Sequence, residues 1–172
     1  MNLAAQPALG QDGSRSDWNI PQPGIASTSN SHQSLTGETM SKPGYEFTVD
    51  IALGFQDAEQ RTRELLKEEG FGVLTEIDVR STLKEKLDED FRQYKILGAC
   101  NPQLAHRALQ SEPGIGLLLP CNVVIEEAAA GTRVRFMEPI AALGVVRNVA
   151  VEPIAVEAST RLHRVAARLG AD

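Results

Sequence analysis

After Pro43 the apolar residues of this chain switch repeatedly between a spacing of two and a helical spacing, and each strand-like stretch is apolar on one side only. Phe47, Val49, Ile51 and Leu53 alternate with Glu46, Thr48, Asp50 and Ala52, the pattern of a half-buried strand. Ala58, Thr62, Leu65, Leu66 and Glu69 then fall at helical spacing, with Gly70 as the C-terminal cap. A second strand sets Phe71, Val73, Thr75, Ile77 and Val79 on one face and Leu74, Glu76 and Asp78 on the other. Thr82 and Glu85 read as a capping box ahead of Leu83, Leu87 and Phe91, which predicts a short second helix.

From Arg92 to Cys100 the period is again two, with Tyr94, Ile96, Gly98 and Cys100 on one face and Gln93, Lys95 and Leu97 on the other. Asn101 and Pro102 open a third helix, since Asn is a preferred N-cap and Pro suits the first helical position. Its stripe is Leu104, Ala105, Ala108 and Leu109, and Pro113-Gly114 ends it. Leu117 to Glu126 predicts a fourth strand, turned by Ala129-Ala130-Gly131 into a fifth in which Val134 and Phe136 alternate with Arg133 and Arg135. A final helix carries Ala155, Ala158, Leu162, Val165, Ala166 and Leu169 inward. Parallel sheets covered on both faces have continuously apolar strands, and these alternate. The fold expected is therefore an α+β two-layer sandwich, with a five-stranded, mostly antiparallel or mixed sheet and helices on one face. The uncovered face would carry Glu46, Asp50, Glu76 and Asp78 opposite Lys95, Arg133 and Arg135, together with Leu74, Leu97 and Asn122.

At 172 residues and 42% hydrophobic, the chain has material for one core. Residues 1–43 are polar and poor in large apolar groups, so they read as a disordered tail, and 44–172 as a single domain. Within the tail, Trp18-Asn19-Ile20-Pro21 is open to a second reading as a short docking motif. A net charge of −6 and a pI near 5.1 argue against nucleic acid, whose binding rests on neutralising phosphates. No apolar run near Met1 has signal-peptide length, and none reaches the roughly 20 residues of a membrane span. A soluble, cytoplasmic protein without a membrane partner is expected, with both cysteines as free thiols.

Those two cysteines lie in near-copies of one phrase, Gly98-Ala99-Cys100-Asn101-Pro102 and Leu119-Pro120-Cys121-Asn122. Cys100 precedes a helix start, where N–H groups and the helix dipole favour a thiolate; the alternative is a small buried filler. Cys121 shares an apolar face with Leu119, Val123 and Ile125, which should raise its pKa and leave it inert. Pro120 suggests an edge strand or a bulge near a site, and Asn122 lies on the face opposite Cys121. Strand alternation sends Lys95 away from Cys100. His106 and His163 lack the spacing of a metal knuckle and read as solvated, so no metal and no cofactor are implied.

Three ordered blocks carry a family resemblance: Glu69-Gly70-Phe71-Gly72-Val73-Leu74-Thr75-Glu76-Ile77-Asp78, then Lys95-Ile96-Leu97-Gly98-Ala99-Cys100-Asn101-Pro102, then Gly116-Leu117-Leu118-Leu119-Pro120-Cys121-Asn122-Val123-Val124. Over about Tyr45 to Leu169 the chain resembles the domain of unknown function family 302, a small bacterial or archaeal type of α+β domain. The resemblance implies a compact α+β domain, often alone on its chain, and assigns no activity or catalytic residue. The polar tail departs from a minimal domain of that kind.

Three functions follow as expectations. The first is binding of a small ligand near the Cys-Asn phrases, with Lys95, Cys100, Asn101, Cys121 and Asn122 as candidate contacts. The second is a homodimeric interaction module in which the acidic and basic strands of the open face meet across a two-fold axis. The third is a thiol-dependent enzyme or redox carrier in which Cys100 is the candidate catalytic group and Cys121 its resolving partner. Whether the chain is an enzyme is left open.

Overall fold

The alternating stretches pair into one antiparallel sheet of five strands in the order β1-β5-β4-β3-β2. The computed structural model describes residues 44–171, and the expectations for the tail, including the Trp18 motif, lie outside the described residues. The strands are β1 (Glu46–Ile51), β2 (Gly72–Asp78), β3 (Tyr94–Cys100), β4 (Cys121–Ala128) and β5 (Gly131–Met137). The helices are α1 (Phe55–Glu68), α2 (Val79–Leu87), α3 (Pro102–Ser111), α4 (Pro139–Gly144) and α5 (Glu152–Leu169). The α+β expectation holds. Among the described residues no helix is long and apolar enough to cross a membrane.

One face of the sheet is dry. Leu97 and Ala99 of β3, Cys121, Val123 and Ile125 of β4, and Val134 and Phe136 of β5 are buried against Ala58, Leu65 and Leu66 of α1 and Leu162, Val165 and Leu169 of α5. Burial of a Leu, Ile or Phe side chain contributes about 1.5–3 kcal/mol, so this seam is the main support of the fold. A second cluster joins Leu104 and Ala108 of α3, Ile115, Leu143 of α4, and Ile154 and Ala158 of α5 beside the sheet end where β3 finishes. Gly70 ends α1 in the left-handed region at φ 83°, where a side chain would also meet the Asn101 amide 2.8 Å away.

Four expectations are corrected. β2 carries a bulge between Val73 and Thr75, so Leu74 is an extra residue and the pattern after it is shifted. Glu76 and Asp78 pair with Leu97 and Lys95 on the helix side, and Thr75 and Ile77 pair with Gly98 and Ile96 on the open side. Leu97 is core rather than open face. The second helix starts at Val79, capped by Asp78, whose side chain accepts from the Ser81 N–H, and it buries no residue. Finally, Pro113–Leu118 forms a 3-10 helix, which delays the fourth strand to Cys121, and α4 follows β5 without having been anticipated.

Candidate functional site

The antiparallel register brings three rows of side chains onto the uncovered face. Tyr94 of β3 pairs with Glu126 of β4, and Glu126 with Arg133 of β5; Ile96, Val124 and Arg135 form the next row; Gly98 and Asn122 begin the third. These rows border a recess of about 410 Å3 whose walls include Tyr45, Arg92, Tyr94, Asn122, Glu126 and Arg135. Gly98 permits the crowded third row, because a Cβ there would approach the Pro120 ring to 2.6 Å and collide with Thr75. Pro120 follows a cis peptide bond and lies over β3 beside Asn122.

The floor of the recess is a buried carboxylate. Glu126 Oε1 accepts from Arg135 Nε at 2.6 Å, and Glu126 Oε2 accepts from Arg92 Nη2 at 2.7 Å and Nε at 3.2 Å. Arg135 Nη1 donates to Glu46 Oε1 at 2.9 Å. Arg92 also places its guanidinium carbon 4.7 Å from the Phe91 ring centre and 5.4 Å from that of Tyr94. Burial alone would raise the Glu126 carboxyl, but the hydrogen bonds from Arg92 and Arg135 hold it below the usual carboxylate range. Burial pushes the Tyr94 phenol up, with the Glu126 charge adding to the shift.

Of the five candidate ligand contacts read from sequence, Asn122 alone lines this recess, together with Glu46 and Arg135 of the expected open face. Asn101 is buried, and its Oδ1 accepts from the Gln103 and Leu104 N–H groups at 3.1 Å each, so its side chain is the N-cap of α3. Cys100, Asn101 and Cys121 instead border an apolar gap of about 20 Å3 among Phe71, Leu104 and Leu119, which is room for about one water. Burial pushes the Cys100 thiol up, in the direction opposite to the depression expected at a helix start. Cys121 is pushed up to about 11 by burial, in the expected direction. Ala99 is the direct partner of Cys121, so β3 and β4 are neighbours.

Lys95 is on the helix side, not the open face. Its Nζ lies 2.8 Å from Glu59 of α1 and 2.8 Å from Glu76, and Arg63 pairs with the same two carboxylates. This closed set of four charges staples α1 to the β2 edge. His163 is also not simply solvated: its ring stacks on Phe47 at 3.7 Å between centres, and Nε2 is 3.0 Å from Glu138 Oε2. Among the described residues, no group of three or more His, Cys, Asp or Glu side chains is arranged to hold a metal ion.

Arg92, Glu126, Tyr45 and Tyr94 were not among the sequence-derived contacts. Counting outward from the Ala129-Gly131 turn pairs Ala128 with Gly131 and Glu126 with Arg133, which is the signal that would have set Glu126 among arginines. Arg92 lies 34 residues from Glu126 and has no comparable local signal.

The sequence matches the family described as Domain of unknown function DUF302 over residues 46–169, a span that includes all five strands and all five helices. A solved structure described as the crystal structure of uncharacterized conserved protein DUF302 from Bacillus stearothermophilus is similar, with 34% sequence identity and a TM-score of 0.69. The similarity covers 74% of this chain and 99% of that one. No curated protein matches the chain.

Proposed function

The chain belongs to the DUF302 domain family, and we propose that it binds a small molecule in the open-face recess beside Asn122. The observation that carries this reading is Glu126, buried and ionised between two arginines on the side of the sheet that no core requires to be charged. Buried ion pairs cost desolvation and are poor stabilisers, so a charge set at the floor of a concavity fits recognition better than folding. The recess lies within the range of small-ligand sites. Asn122 offers an amide donor and acceptor at its wall, and Tyr45 and Tyr94 offer phenols and ring surface. Lys95, Asn101 and Cys121 have structural work in this reading, and thiol chemistry at Cys100 has no support from its raised pKa.

A thermal-shift screen of small polar metabolites tests the proposal. A hit should raise the melting temperature of the wild type and lose that rise in Asn122→Leu, whose own melting temperature should match the wild type because Asn122 is exposed. A hit whose shift survives in both Asn122→Leu and Tyr94→Ala would place binding elsewhere and end this reading.

A homodimer through the same sheet face is a second reading, carried by exposed Ile77 and the Ile96 and Val124 beside it. The charge complementarity first expected for it is weakened, since Arg133 pairs with Asp50 and Arg135 with Glu46 within one chain. Light scattering that gives a monomer mass from dilute to concentrated samples would remove it.

A further inference from the structure

The four charged groups of the recess are layered by accessibility. The Glu126 and Glu46 side chains are 5% and 14% exposed, whereas those of Arg135 and Arg92 are 29% and 46% exposed. The formal charges cancel, two against two, yet a molecule entering from solvent meets guanidinium first. Hydrogen-bonding capacity is divided in the same way. Both Glu126 oxygens accept from arginine, Oε1 from Arg135 and Oε2 from Arg92. Among the described residues, Arg92 directs Nε and Nη2 to Glu126, which leaves its Nη1 amino group uncommitted. The Asn122 amide lines the same recess four residues along β4 from Glu126; it likewise has no hydrogen bond among the described residues and brings two more N–H donors.

From this layering we infer that the recess selects a small planar monocarboxylate, its carboxylate held by the outward N–H groups of Arg92 and its body running along β4 towards the Asn122 amide. The inference rests on the ligand-binding reading above and names the ligand class of that site. The Arg92 Nη1 group, on the guanidinium edge turned away from Glu126, offers charge-assisted donors to a carboxylate, and such bonds are roughly twice as strong as neutral ones. Glu126 orients the guanidinium by taking its Nε and Nη2, which turns Nη1 to the ligand. A single negative charge is favoured over a double one, because Glu46 and Glu126 lie under the arginines and repel the second charge. Tyr45 and Tyr94 supply ring surface for a flat body.

Benzoate, benzamide and benzamidinium have nearly one shape and carry one negative charge, none and one positive charge. Titrated into isotopically labelled protein spanning residues 1–172, they should perturb the β4 and β5 amides around Asn122 and Arg135, with benzoate binding at least about tenfold tighter than benzamidinium and benzamide falling between. In Arg92→Gln the advantage of benzoate over benzamide should vanish, with benzoate losing more affinity than benzamide. Benzamidinium binding as tightly as benzoate, or a benzoate preference that survives in Arg92→Gln, would overturn the inference and leave a recess of another selectivity. Failure of all three probes to move any recess resonance, at concentrations up to solubility, would overturn the ligand-binding reading itself.

Discussion

Two copies of the dipeptide Cys-Asn in one sequence end in opposite environments. Cys100-Asn101 ends β3, and its Asn is buried as the cap of α3 with its acceptor oxygen taken. Cys121-Asn122 starts β4, so its Cys faces the core and its Asn stands exposed at the wall of the recess. The residue types are the same; position relative to a strand end decides whether the polar group serves the fold or is left available. The available copy adjoins the arginine-clamped Glu126.

The largest expected effect is on the floor beneath the second copy. Glu126→Ala removes the counter-charge of Arg135 and Arg92 and should lower stability by about 2–3 kcal/mol in denaturant titration, less than for a fully buried pair because Arg92 can rehydrate. The effect depends on pH with a definite sign. The folded Glu126 carboxyl lies below its unfolded value, so its contribution is present above the unfolded pKa of about 4.3 and is lost as pH falls through the folded value. The stability gap between wild type and Glu126→Gln should therefore close on acidification. A gap constant from pH 7 to pH 3 would mean that the clamp does not set the carboxyl.

Next in size is the contrast between the asparagines. Asn101→Ala should cost about 1–2 kcal/mol through the lost cap, and Asn122→Ala less than about 0.5 kcal/mol. Equal losses at the two positions would mean that both asparagines serve the fold alike. The thiols extend it: at neutral pH an alkylating reagent should modify both slowly, Cys100 ahead of Cys121, and Cys121 only as the protein opens. The smallest effect is expected from the tail, whose removal up to Lys42 should leave the melting temperature nearly unchanged.

Much of the fold was legible because burial on one face imprints a period. Val134 and Phe136 against Arg133 and Arg135 marked β5 correctly, and Leu162, Val165 and Leu169 marked α5. The losses have local causes. One bulge residue at Leu74 turned Glu76 and Asp78 to the helix side, since a one-residue slip exchanges the two faces of a strand. Alternation set Lys95 on the face of Leu97, but only the packing of α1 could say that this face was the covered one. The candidate site was legible at Asn122 and not at Arg92, whose partner Glu126 is brought to it by strand pairing across 34 residues.

In the proposed reading the open-face recess, rather than the Asn101 junction, receives a ligand. Crystals of the protein soaked in a mixture of small polar fragments test it most directly. Density for a fragment between Arg92, Tyr94 and Asn122 is the predicted result. Density in the apolar gap between Cys100, Asn101 and Leu104, with the recess empty, would contradict it.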